Sequence, residues 1–118
     1  MAEKTPIVRE KILTVWDHEN DREILTLDLT LTHDWPYWIN WLESETTKSF
    51  RYIGNDGMLS CTVVKETRQG YKGRSIKRFW YAHRRKGGML RRKYLGQSEN
   101  LTYTRLKEVA FELAQGNN

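Results

Sequence analysis

The 118-residue sequence holds one cysteine and two prolines. A single thiol, Cys61, excludes an internal disulfide and any cysteine-built zinc site. A reducing cytoplasm is the expected compartment. The three histidines, His18, His33 and His83, are scattered, with no H-x-x-x-H or Cys/His spacing. No apolar run approaches the roughly 18–20 residues of a membrane span, so no membrane partner is expected. Residues 1–10 lack the apolar core of a signal peptide. Gly70-Tyr-Lys-Gly-Arg-Ser falls short of a P-loop and precedes a β-prone run instead of a helix. Asp17, Glu19 and Asp21 lack the glycine and distal glutamate of an EF-hand loop and read as solvated acids. No acidic metal ligands accompany His83. The expectation is a protein that is not an enzyme and needs no cofactor or metal.

Aromatic residues are plentiful: five Trp, six Tyr and three Phe, too many for a typical disordered chain. The charge is unevenly placed. From Lys65 to Lys93 there are twelve basic residues and one acid, Glu66, a net of +11; the rest of the chain has eight basic and fourteen acidic residues, a net of −6. A block of nearly one sign exceeds what solubility asks for and suits a polyanion, because Lys and Arg displace counterions from phosphates.

The length fits one domain. Residues 1–33 read as an N-terminal strand extension, with a frayed start, a short strand at Ile12–Val15 and a longer one at Ile24–Thr32. In the latter Leu25, Leu27, Leu29 and Leu31 alternate with polar residues. Residues 34–47 read as a helix capped by Asp34, with Pro36 in its first turn. Trp38, Trp41 and Leu42 give it one apolar face, read as core rather than as an aromatic cage. Residues 50–95 read as antiparallel sheet: a strand at Phe50–Ile53 leads through the Gly54–Gly57 turn into three antiparallel strands, Met58–Glu66, Lys77–Arg85 and Met89–Leu95, the last two about a Gly87-Gly88 turn. Arg68–Lys77 reads as a loop. Residues 101–115 read as a C-terminal helix with Thr102 or Thr104 as cap. Its buried stripe is Leu106, Val109, Ala110 and Leu113, and Gly116 stops it. The expected class is α+β: a three-stranded antiparallel sheet backed on one face by the C-terminal helix, with an N-terminal strand and a Trp-rich helix.

Alternation along Arg78–Arg85 sorts Trp80 and Ala82 to the covered face. Phe79, Tyr81, His83 and Arg85 go to the open one. On the return strand Leu95 packs beneath the helix, so Leu90, Arg92 and Tyr94 point out, while Arg91 and Lys93 must snorkel at an edge. The candidate nucleic-acid contacts are Tyr81, His83, Arg85, Arg92 and Tyr94 on the sheet, with Lys65, Arg68, Lys72, Arg74 and Lys77 as basic neighbours for phosphates. Cys61, within a strand, reads as a small buried hydrophobe.

The stretch from Arg78 to Thr102, with its aromatic strand, Gly turn and Lys93-Tyr-Leu-Gly-Gln-Ser-Glu-Asn-Leu-Thr, resembles a segment near the N-terminus of large bacterial LuxR-type ATP-binding regulators and of small stand-alone relatives. Trp38–Leu42 and Ser49-Phe-Arg51 resemble the part preceding it. The likeness covers about two-thirds of the chain and implies a regulatory context. The order of three strands then helix is also similar to the arm-type domains of tyrosine recombinases and to plant ethylene-response-factor domains. There a sheet face reads the major groove. That likeness rests on Trp80-x-Ala82, the basic return strand and Leu95-Gly96, and implies duplex DNA as partner. Lys93 departs from it, since a small apolar residue is expected there. The expected function is DNA binding by a regulator or mobile-element accessory. The rivals are a single-strand or RNA binder that stacks bases on Tyr81, His83 and Tyr94, and a protein-interaction module or phage-type inhibitor engaging a partner through the acidic N-terminal third.

Overall fold

The computed structural model describes residues 5–17, 19–70 and 76–115. Seven strands form one mixed sheet: β1 (Ile7–Arg9), β2 (Ile12–Asp17), β3 (Arg22–Asp28), β4 (Ser49–Gly54), β5 (Leu59–Gln69), β6 (Ile76–Lys86) and β7 (Met89–Gly96). Among the described residues two α-helices, α1 (Trp35–Glu43) and α2 (Tyr103–Gln115), pack with the sheet. The strand order is β3-β2-β1-β4-β5-β6-β7. All neighbours are antiparallel except β1 and β4.

The expectation of a three-stranded sheet is therefore corrected. β5, β6, β7 and α2 follow one another as expected, but the N-terminal strands extend the same sheet instead of lying outside it. The join is β1, where Ile7, Val8 and Arg9 pair in parallel with Arg51, Tyr52 and Ile53. The following Glu10, with φ of 55°, turns the chain into β2. It is fastened at that point: its amide donates to Ile53 O at 2.8 Å, and its carboxylate accepts from the Asn55 amide at 2.5 Å and the Tyr103 hydroxyl at 3.2 Å.

The Leu-Thr alternation forms β3 but stops at Asp28. There the carboxylate accepts from the Thr30 amide at 2.8 Å and its hydroxyl at 2.6 Å, an Asx turn that competes with the ladder. Leu27 and Leu29 are buried, whereas Leu31 is 52% exposed. Asp34 precedes α1, yet its carboxylate accepts the Asp28 amide at 2.9 Å and does not cap the helix. Thr102 does cap α2, accepting the Arg105 amide at 3.1 Å. The stop expected at Gly116 lies outside the described residues.

Both helices lie on one face of the sheet. Trp38 and Trp41 of α1 meet Phe50 of β4 at ring distances of 5.6 and 5.7 Å, and Phe50 meets Trp80 at 5.6 Å. The buried Trp38 indole donates to Leu101 O at 2.8 Å, tying α1 to the segment before α2. Leu106, Val109, Ala110 and Leu113 bury the expected stripe of α2 against β4–β7. Cys61 is buried, and burial pushes its thiol pKa up to about 12. Among the described residues, the other face of the sheet carries no helix.

Candidate nucleic-acid interface

Register assigns the open face. Buried Phe50, Val63 and Ala82 align across β4–β6, as do Tyr52 and Cys61 across β4–β5, so the intervening residues point the other way. One transverse row on the open side is Arg51–Thr62–His83–Arg92. The next is Ser49–Val64–Tyr81–Tyr94, followed by the pairs Glu66–Phe79 and Arg68–Lys77. Aromatic side chains thus lie between a row ending in Arg92 and a pair of cations, Arg68 and Lys77. Arg85, opposite Leu90, lies beyond the first row. Among the described residues, the open face of β4–β7 carries Arg51, Arg68, Lys77, Arg85 and Arg92 against the single carboxylate Glu66.

The aromatic rows are in contact. Tyr81 and Tyr94 are edge-on at 5.2 Å, and Phe79 and Tyr94 are tilted at 6.2 Å. Tyr94, on the edge strand, is 50% exposed. Arg92 lies 3.7 Å from the Tyr81 ring centroid and pairs with Glu66 at 2.6 Å. Arg68 is 5.5 Å from the Phe79 ring, with Nη2 3.4 Å from the Tyr81 hydroxyl. His83 is half-buried; its Nε2 is shielded and has no hydrogen-bond partner among the described residues. Burial, and then the nearby Arg92, lowers its pKa below the ordinary 6.5, opposed by Glu66.

The candidate residues divide into three groups. Arg68, Lys77, Tyr81, His83, Arg85, Arg92 and Tyr94 share the open face. Lys72 and Arg74 lie outside the described residues. Lys65 stands apart: it pairs with Trp80 on the helix-covered face. Its ammonium donates to Leu42 O at 2.6 Å and Ser44 O at 2.8 Å, capping the C-terminal end of α1. Desolvation, and then Arg78, lowers its pKa.

Other members of the basic block are similarly engaged. Lys86 donates to Ala114 O at 2.9 Å near the end of α2. Arg78 pairs with Glu43 at 3.5 Å, and Lys93 with Glu112 at 2.5 Å. Arg84 donates to Ser60 O at 3.1 Å. The Lys93 pair explains how a lysine is accommodated where a small apolar residue was expected.

Two cations outside the block belong to the same face. Arg51 lies between buried Phe50 and Tyr52, and Arg9 is opposite Ile53. The alternation of Phe50, Arg51 and Tyr52 signals the outward Arg51; Arg9 has only a three-residue strand to announce it. At the far edge the face turns acidic, with Asp28 on β3 and Glu23 bonded by Thr26 at 3.2 Å.

Among the described residues no three His, Cys, Asp or Glu side chains are grouped to hold a metal ion, and no helix is long and apolar enough to cross a membrane. No protein-family model, curated protein or solved structure matches the chain.

Proposed function

We propose that this protein binds nucleic acid on the open face of β4–β7. The observation that carries the reading is the placing of Arg51, Arg68, Lys77, Arg85 and Arg92 around Phe79, Tyr81 and Tyr94, with one carboxylate among them. Cations there exchange counterions for phosphates, and the aromatics take bases or sugars. A role in gene regulation or on a mobile element fits such binding and the resemblance of the Arg78–Thr102 stretch. The test is fluorescence anisotropy with labelled oligonucleotides across a salt series, comparing the wild type with Arg51→Ala/Lys77→Ala. The expected result is salt-sensitive binding whose log–log slope falls in magnitude by about 1.4–1.8 in the double variant, one phosphate per cation. Absence of binding at low salt would overturn the reading.

A specific feature favours a second reading, docking in a duplex groove. The β5–β6 ladder ends at Thr62–His83, whereas the β6–β7 ladder continues to Lys86–Met89. The hairpin tip is therefore a two-stranded ribbon bearing Arg84, Arg85, Lys86 and Arg91, and a ribbon of that width suits the major groove. Gly87 and Gly88, with φ of 59° and 81°, close it as a tight turn. Selective loss of duplex affinity in Arg85→Ala would mark this mode.

A further inference from the structure

We infer that the ligand of this face is a single-stranded nucleic acid, its unpaired bases lying over Phe79, Tyr81 and Tyr94 and its phosphates over the flanking cations. The inference rests on the nucleic-acid reading and narrows its ligand. Width is the first argument. Seven strands at about 4.8 Å spacing make a sheet roughly 29 Å across, and β4–β7 alone spans about 14 Å before side chains are added. A major groove about 12 Å wide excludes such a surface and admits only the hairpin tip. The aromatic cluster is not at the tip. Tyr81 and Phe79 lie two and four residues back from His83, within the part of β6 paired on both sides or beside β5. Bases held inside a duplex do not reach it, whereas unpaired bases do.

Charge arrangement is the second argument. His83 and Lys77 are six residues apart on β6, about 20 Å in an extended strand. Between their rows the face is aromatic and aliphatic, apart from Ser49 and Glu66. A carboxylate repels phosphate, so a strand crossing this face turns its bases toward Glu66 and its backbone toward Arg51 and Arg92 or Arg68 and Lys77. Tyr94 is the most accessible platform: half its surface is exposed, and its neighbours Phe79 and Tyr81 meet it tilted by 41° and 60°, not in a parallel stack. Arg92 offers a second platform, a guanidinium already seated on Tyr81. Stacking of this kind tolerates any base, since every base has a π-face.

The experiment compares labelled dT20, rU20 and a mixed-sequence 20-base-pair duplex by anisotropy at two salt concentrations. The proteins are wild type, Tyr94→Ala, Tyr94→Phe and Arg85→Ala, each checked for an unchanged melting temperature. The inference expects at least one single strand to bind tighter than the duplex by about 10-fold or more. Tyr94→Ala should weaken that strand by about 5- to 150-fold while Tyr94→Phe retains it. The dT20 and rU20 arms decide between DNA and RNA. Duplex binding as tight as the better-bound single strand, or a Tyr94→Ala protein that binds like wild type, would overturn the inference and leave the broader reading standing. Absence of binding to all three would overturn both.

Discussion

Arg92 stacks on Tyr81 with its guanidinium carbon 3.7 Å from the ring centroid, although the two residues are not direct cross-strand partners. Arg92 opposes His83, and Tyr81 opposes Tyr94. The arginine reaches diagonally across Tyr81 to Glu66, where Nη2 and Oε2 are 2.6 Å apart. Under the proposed binding, Glu66 therefore occupies the position that a phosphate would take on Arg92, and it pairs with the guanidinium above the Tyr81 ring.

Glu66→Gln should raise nucleic-acid affinity and steepen its salt dependence by roughly 0.7–0.9 in slope, since one more cation becomes free for phosphate. Both side chains of the pair are substantially exposed, so the stability change should stay within about 1 kcal/mol. Anisotropy across a salt series and a thermal melt measure the two effects. Weaker binding in this variant would mean that Glu66 serves the ligand directly, as a base contact.

Lys65→Ala should do the reverse: lower stability and leave binding per folded molecule unchanged. Its ammonium bonds two carbonyls at the end of α1, and charge-assisted bonds of this kind contribute about 1.5–3 kcal/mol each. Partial exposure and the lysine's own desolvation reduce the net loss to about 1–3 kcal/mol, a fall of several degrees in melting temperature. Denaturation followed by circular dichroism, beside anisotropy on the same samples, checks both halves.

Position along the strand already distinguished Lys65 from the other cations. It shares the parity of Cys61 and Val63, both buried, so alternation alone sends it to the covered face. Counting the basic block as one unit hid that parity. The same rule made Trp80, Ala82 and Leu95 legible as core and Arg92 and Tyr94 as open, because β6 and β7 are long and their Gly-Gly turn fixes register. The α2 stripe was legible for the corresponding reason at helical period. The mixed sheet was not. Its join is a three-residue strand, Ile7–Arg9, too short to show a period, paired in parallel with residues 44 positions away. Arg9 was hidden with that strand, whereas Arg51 only needed its two buried neighbours to be noticed.

Trp38→Phe should cost about 2–4 kcal/mol. The substitution removes a buried indole's volume and leaves Leu101 O without its donor, 2.8 Å away in the wild type. Leu101 leads into α2, so amide exchange at the start of that helix should quicken more than exchange in β6. Urea unfolding and hydrogen exchange test the size and the place of the effect. Uniform acceleration would mean that Trp38 acts only through global stability.

Cys61 should resist thiol reagents while the protein is folded. Its side chain is buried in β5, opposite Tyr52, and its thiol pKa is pushed up to about 12, so almost no thiolate is present near neutral pH. Ellman's reagent should report a single slow reaction whose rate follows unfolding, rising in the Lys65→Ala and Trp38→Phe proteins. Rapid reaction without denaturant would contradict the buried placement.

His83 should make the fold less stable below neutral pH. Burial, and then Arg92, sets its folded pKa below the unfolded value of about 6.5, despite the opposing Glu66. Between those two values the unfolded chain binds more protons than the native one, so stability rises with pH across that window. Above it the imidazole is neutral in both states and exacts no penalty; below the folded value the penalty is complete. The melting temperature of the wild type should therefore fall more between pH 7.5 and pH 5 than that of His83→Gln, which cannot titrate there. Bound phosphate reverses the electrostatics at this residue, because an anion beside His83 and Arg92 favours the imidazolium. Nucleic-acid affinity at fixed salt should accordingly rise as the pH falls over the same interval, and that rise should be smaller in His83→Gln. Equal pH dependence of both proteins, in melting and in binding alike, would remove His83 from the interface.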